Sequence, residues 1–100
     1  MNISQLRLSA MRALWGVVTP NLRKVCIQEK NNNICLYFYY DKEPSEKEVE
    51  LSEDAATIVI ADFLEPFTIS CERKVVSFPK KIDWHDDLIY FRYEETEKYC

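Results

Sequence analysis

The sequence has little of what flexible, disulfide-bonded or catalytic proteins need. One glycine and four prolines in 100 residues leave little room for linkers or disorder. The single histidine, His85, is accompanied by no glycine-rich phosphate-binding loop. The four cysteines lack the close spacing of a zinc knuckle or a redox Cys-x-x-Cys motif; they are Cys26, Cys35, Cys71 and Cys100. These absences favour a binding protein over an enzyme.

Long apolar runs and a basic surplus are also missing. No stretch approaches the ~20 apolar residues of a membrane span. The apolar run 13–18 is too short for a signal peptide and directly follows Arg12, so we expect no such peptide. We expect a soluble cytoplasmic protein with reduced thiols. Thirteen basic against seventeen acidic residues give a net charge of -4, which argues against nucleic-acid binding.

The apolar content of 47% is enough for one core, so we predict a single domain over 1–100, with 94–100 as a frayed polar tail. Ser4 can cap a first helix that ends before Pro20. This helix has two apolar rows, and such a broad apolar arc is typical of a helix packed deeply against a sheet. The rows are Leu8, Met11, Trp15 and Val18, and Leu6, Ala10, Ala13, Leu14 and Val17.

Two strands follow, over 23–30 and 34–40, joined by an asparagine turn at 31–33. If Gln28 lies opposite Cys35, the aliphatic side chains of both strands share one face. In this register Ile27 faces Leu36 and Val25 faces Phe38. We expect a helix to cover this face and the face of Tyr37 and Tyr39 to be the more exposed.

A second helix is predicted from the capping box of Ser45 and Glu48 to Pro66. The β-branched run 57–60 could instead form a strand, but the cap and the flanking alanines favour a helix. Strands over 67–78 and 88–93 complete an α+β domain in the order helix-strand-strand-helix-strand-strand. We predict a four-stranded, mainly antiparallel sheet with both helices on one face. The predicted core is Leu14, Val25, Ile27, Leu36, Phe38, Val59, Ile60, Phe63, Ile69 and Phe91.

Candidate chemistry is sparse. His85 beside Asp86 and Asp87 could act as an oriented base, but a polar turn between strands is the favoured interpretation of these residues. Cys26 and Cys35 could bind zinc with His85, but free thiols are the simpler interpretation. We therefore predict no catalytic residue, no metal and no cofactor.

Two surface patterns suggest a protein partner. The aromatic strand residues could stack bases, but without a basic groove they suit core packing or protein contact better. Acidic residues on two segments could steer a basic partner such as a nuclease, although helix capping and solvation also account for them. With Trp84 as an aromatic anchor, the candidate partner-binding residues are Asp41, Glu43, Glu46, Asp83, Trp84, Asp86 and Asp87.

Several short blocks carry a family resemblance over nearly the whole chain. They are Leu6-Arg7, Arg12-Ala13-Leu14-Trp15-Gly16, Thr19-Pro20-Asn21-Leu22-Arg23, Phe38-Tyr39-Tyr40-Asp41, Pro44-Ser45-Glu46, Val59-Ile60-Ala61-Asp62-Phe63 and Tyr90-Phe91-Arg92. The sequence resembles a family of small, mostly uncharacterised bacterial proteins, some of which resemble immunity proteins of contact-dependent growth inhibition systems.

The resemblance implies a protein that binds a cognate toxin domain, expected to be a nuclease, and blocks its active site. No catalytic residue carries over from it. The alternative is a small cytoplasmic adaptor or regulatory protein-binding module. An enzyme ranks third, since it would depend on His85 or a cysteine. The oligomeric state stays open.

Overall fold

The computed structural model describes residues 3–63, 66–82 and 87–94. Its elements follow the predicted order, with each helix followed by two strands. They are α1 (Ile3–Ala13), β1 (Leu22–Lys30), β2 (Asn33–Tyr40), α2 (Glu46–Ala61), β3 (Thr68–Val75) and β4 (Asp87–Phe91). The α+β class is therefore confirmed. None of the helices in these ranges has the length and apolar character needed to cross a membrane.

The sheet is mixed, so the prediction of a mainly antiparallel sheet is wrong. Its strand order is β3-β2-β1-β4. β1 is antiparallel to both β2 and β4, but β2 and β3 run parallel along their full length, from Asn33 opposite Thr68 to Tyr40 opposite Val75. The physical reason is that α2 connects β2 to β3. Its sixteen residues rise about 24 Å and return the chain to the end of the sheet where β2 began, so β3 runs in the same direction as β2.

The predicted pairing of the first two strands is confirmed. Gln28 lies opposite Cys35, Ile27 opposite Leu36, and Val25 opposite Phe38. The turn between the strands has positive φ at Asn31 (53°) and Asn32 (66°), a conformation that asparagine tolerates better than most residues. Local turn chemistry and a shared aliphatic face therefore set this register.

Both helices pack on the aliphatic face of the sheet. Buried residues of α1, α2, β1 and β2 form one core in which Val25, Ile27, Phe38 and Val59 are completely inaccessible to solvent. Of the predicted core residues, Leu14, Val25, Ile27, Leu36, Phe38 and Val59 are buried. The other four are only partly buried, because they lie on edge strands or at the end of α2: Ile60, Phe63, Ile69 and Phe91.

Only one of the two apolar rows of the first helix is buried. Leu6, Ala10, Ala13, Leu14 and Val17 are at most 9% exposed. The other row lies outside: Leu8 is 67% exposed and Trp15 is 79% exposed. The prediction that the whole apolar arc packs against the sheet is therefore wrong, because a helix lying on a sheet buries one face and leaves the opposite face uncovered.

The second face of the sheet is more covered than predicted. Cys26 and Tyr39 are buried there with Ile82, and Tyr37, Val76 and Leu88 pack against them. Tyr37 is partly buried, and its hydroxyl donates to Gln28 at 3.1 Å. The segment after β3 crosses this face and supplies both Val76 and Ile82. The tyrosine face is therefore a small second core over part of its area.

Candidate protein-binding surface

The acidic residues before and at the start of α2 differ in their surroundings. Glu43 and Glu46 are exposed. Asp41 is partly buried: its carboxylate accepts the backbone N–H of Phe78 at 2.8 Å and pairs with Arg92 at 3.5 Å. The Phe78 hydrogen bond lowers the pKa of Asp41, and the Arg92 charge adds to this effect. Asp41 therefore holds two segments of the chain together, while Glu43 and Glu46 remain available to a partner.

The carboxylate of Glu48, which follows them, also accepts hydrogen bonds from other residues of the chain. The capping box is present as predicted: Ser45 accepts from the Glu48 N–H at 3.1 Å, and Glu48 accepts the Ser45 N–H at 2.9 Å. The same carboxylate accepts from Thr19 and Asn21. Burial works against the charged form, but these hydrogen bonds outweigh it and lower the pKa of Glu48. The start of α2 is thus attached to the connection between α1 and β1.

Of the second group of candidate partner-binding residues, Asp83, Trp84, Asp86 and Asp87, only Asp87 is among the described residues. Asp87 begins β4, and its carboxylate pairs with Arg7 of α1 at 3.4 Å. Both side chains are about two-fifths exposed, so the pair is a surface contact. Asp83, Trp84, His85 and Asp86 lie outside the described residues.

A buried ion pair that sequence reasoning missed joins β1 to the segment after β4. Arg23 and Glu94 side chains are 3% and 5% exposed, and they form two hydrogen bonds of 2.6 and 2.9 Å. The Arg23 hydrogen bonds lower the pKa of Glu94. The prediction that the frayed tail begins at residue 94 is therefore wrong at Glu94; residues 95–100 lie outside the described ranges.

Arg23 also holds the segment that covers the second face of the sheet. Its Nη1 donates to the carbonyl oxygens of Val76 and Lys80, and its guanidinium lies 5.7 Å from the centre of the Phe78 ring. One side chain thus contacts three residues of the segment 76–80, which follows β3. A charged residue between apolar ones in β1 was visible in the sequence, but nothing local identified partners more than 50 positions away.

The exposed apolar row of the first helix forms a distinct surface, which we call the α1 patch: Leu8, Met11, Trp15 and Val18. All four side chains are more than 40% exposed. Phe63, just after α2, and the polar residues Gln5 and Ser9 complete a shallow groove beside it. Arg12 closes one side of the groove through a 2.6 Å ion pair with Asp62, whose pKa is lowered by the hydrogen bond from Ser9 and by Arg12.

Three of the four cysteines lie in the described part of the chain. Cys26 and Cys35 are buried, Cys71 is partly buried, and these three form no disulfide with one another. Burial raises the pKa of Cys71, which disfavours the reactive thiolate. Within the described ranges no three His, Cys, Asp or Glu side chains are grouped closely enough to hold a metal ion.

The lowered pKa of Glu94 predicts a loss of stability in acid. A carboxyl group whose pKa is depressed by folding stabilises the native state above its unfolded pKa, near 4.5, and this contribution disappears as the pH falls through the lower folded pKa. We expect the unfolding midpoint in urea to fall below pH 4.5 and the fall to be smaller in Glu94→Gln. Glu50→Gln, at an exposed pair, is the control and should follow the wild type. If the urea midpoint falls with pH by the same amount in Glu94→Gln and in wild type, the ionised Glu94 carboxylate does not stabilise the fold.

The described residues thus present exposed carboxylates, an exposed apolar groove, and charged networks within the fold. A family model supplies the class. Residues 3–94 match the model described as MafI2 immunity protein, and the chain therefore belongs to the MafI2 immunity protein family. No curated protein matches the sequence.

Proposed function

We propose that this protein binds a cognate toxin domain and neutralises it by covering the toxin's active site, without chemistry of its own. The observation that carries this proposal is the family match over residues 3–94. The described surfaces support it, because they offer an exposed apolar groove and exposed carboxylates. We further propose that it acts in the cytoplasm, where a delivered toxin meets its target, within a contact-dependent growth inhibition system.

A nuclease is the toxin activity that suits the acidic residues. Nucleases bind a polyanion and so need a basic cleft, which exposed carboxylates can approach favourably. Glu43 and Glu46 meet this requirement because they are exposed. We propose Asp83, Trp84, Asp86 and Asp87 as a second contact segment, and we assign Asp41 to supporting the first, since its carboxylate already binds Phe78 and Arg92.

Growth rescue tests the proposal. Cells making the toxin encoded by the neighbouring reading frame should stop growing, and coexpression of this chain should restore their growth. Unrelated toxins serve as the specificity control and should remain lethal, since specificity comes from a complementary surface. If soluble immunity protein and active toxin are both present and growth is not restored, the adaptor or regulatory role becomes the better explanation.

The role of the carboxylates has a kinetic signature. Charged residues at the edge of an interface mainly speed association. In binding kinetics with the same toxin domain, Glu43→Gln/Glu46→Gln should associate more slowly and with a weaker salt dependence, while dissociation changes little. Glu72→Gln, at an exposed carboxylate on β3, is the control. An unchanged association rate for the double variant would remove these two residues from the interface.

A further inference from the structure

We infer that the α1 patch is the surface that anchors the toxin, through an apolar region of the toxin beside its cleft. This inference rests on the proposed function and adds to it the site of the strongest contacts. Trp15 is 79% exposed and Leu8 is 67% exposed, although leucine and tryptophan are among the side chains that gain most from burial. Grouped apolar exposure of this kind marks interaction sites, and tryptophan is enriched among the residues that dominate binding energy.

The position of the α1 patch on the fold makes it available. Leu8 and Met11 are three positions apart on α1 and so share one side of the helix, while Trp15 and Val18 lie in the turn region after it. Leu8, Met11 and Trp15 line the same shallow groove. Ala10, on the opposite side of α1, is 1% exposed and faces the core, so the groove side of the helix is left towards solvent.

The charges around the patch indicate the chemistry of the partner. Arg12 pairs with Asp62 at 2.6 Å, and Arg7, beside Leu8, pairs with Asp87 at 3.4 Å. Each carboxylate at this rim already has an arginine, so the rim is close to neutral and is poorly suited to enter a basic cleft. It suits a toxin surface that is apolar at its centre and polar at its edge, which is the usual composition of an interface.

A second copy of this chain fits the patch less well. A two-fold dimer would set α1 against α1, because such an interface uses the same surface twice. The described residues of α1 include Arg7 and Arg12 but no acidic side chain, and both arginines already pair with Asp87 and Asp62 of their own chain, so two copies of α1 would gain no ion pair between them. A toxin presents a different surface, so it is not bound by this requirement to pair α1 with itself.

The patch is also continuous with residues proposed above as toxin contacts. The Arg7–Asp87 pair joins its edge to the end of the acidic segment. Glu46 is the first residue of α2 and Asp62 follows the last, and the sixteen residues of the helix span about 24 Å. An interface of standard size, about 800 Å² on each partner, can extend over this distance. Apolar anchoring at one end of α2 and charged steering at the other can therefore serve one toxin.

Substitutions in the patch test the inference with the toxin domain of the neighbouring reading frame, inactivated at its catalytic residue. Trp15→Ala and Leu8→Ser should each raise the dissociation constant at least about thirtyfold, mainly through faster dissociation. The matched control is Tyr93→Ala, at 77% exposure, which should bind like wild type. All three variants should keep the wild-type unfolding midpoint, since none of these side chains is buried.

The outcomes separate this inference from the proposed function. If wild type binds the toxin and rescues growth but Trp15→Ala and Leu8→Ser bind equally well, the anchor lies elsewhere and the inference fails alone. If wild type fails to bind, both fail. Light scattering without toxin gives a further check: a wild-type dimer that Trp15→Ala converts to a monomer would show that a second copy covers the patch, which overturns the inference.

Discussion

Arg23→Ala is expected to lower the free energy of unfolding by about 3–5 kcal/mol, because it leaves a buried carboxylate without its main partner. Glu94 is 5% exposed, and Arg23 supplies two of its hydrogen bonds; Arg92 lies 3.2 Å from the same carboxylate. The substitution also removes the donor that holds the Val76 and Lys80 carbonyls. Urea unfolding at neutral pH measures the loss.

The control is an ion pair at the surface. Lys47 and Glu50 pair at 3.3 Å with side chains that are 73% and 63% exposed, so Lys47→Ala should change stability by no more than about 1 kcal/mol. Arg23→Lys should fall between the two variants, since an ammonium group keeps the charge but cannot form the paired hydrogen bonds. If Arg23→Ala unfolds at the wild-type urea concentration, the Arg23–Glu94 pair does not stabilise the fold.

Leu36→Ala should cost about 2–5 kcal/mol of unfolding free energy, through lost apolar burial and the cavity that remains. Leu36 is 1% exposed at the centre of β2, opposite Ile27 and within the main core. Strands pair with β2 on both sides, so the backbone has little freedom to close the cavity. Thermal and urea unfolding of the purified variant measure the effect.

Leu8→Ala is the matched control, since it removes the same atoms from a side chain that is 67% exposed. Its stability should stay within about 0.5 kcal/mol of wild type. The pair of variants thus compares a leucine of the core with a leucine of the α1 patch. Equal losses from both would mean that the patch is buried in solution, and equal retention of stability would place Leu36 outside the core.

Local patterns in the sequence were sufficient for the elements of the fold. Alternating apolar residues and an asparagine turn defined the β1–β2 hairpin and its register, and the Ser45–Glu48 capping box placed the start of α2. The same reasoning identified two apolar rows on α1 but assigned both to the core. A helical period shows which residues share a face, but it does not show how much of the helix circumference another element covers.

The candidate site was predictable only where it depends on residue type. Glu43 and Glu46 are exposed carboxylates, as their charge suggests. Asp41 carries the same charge, yet its oxygens bind Phe78 and Arg92, which are 37 and 51 positions away. The α1 patch was visible as a list of apolar residues but not as a surface. The family match then connected these surfaces with toxin immunity.

The sequence by itself determined the α+β class, the order of the elements, the first hairpin and the cap of α2, because each depends on neighbours within a few positions. Only the tertiary structure decided that β3 lies parallel to β2, that Arg23 pairs with Glu94, and that Trp15 faces outward. Arg23 and Glu94 are 71 positions apart, and the placement of α1 on the sheet selects which of its rows is covered. Such choices follow from how the elements pack against each other, and no local pattern encodes that packing.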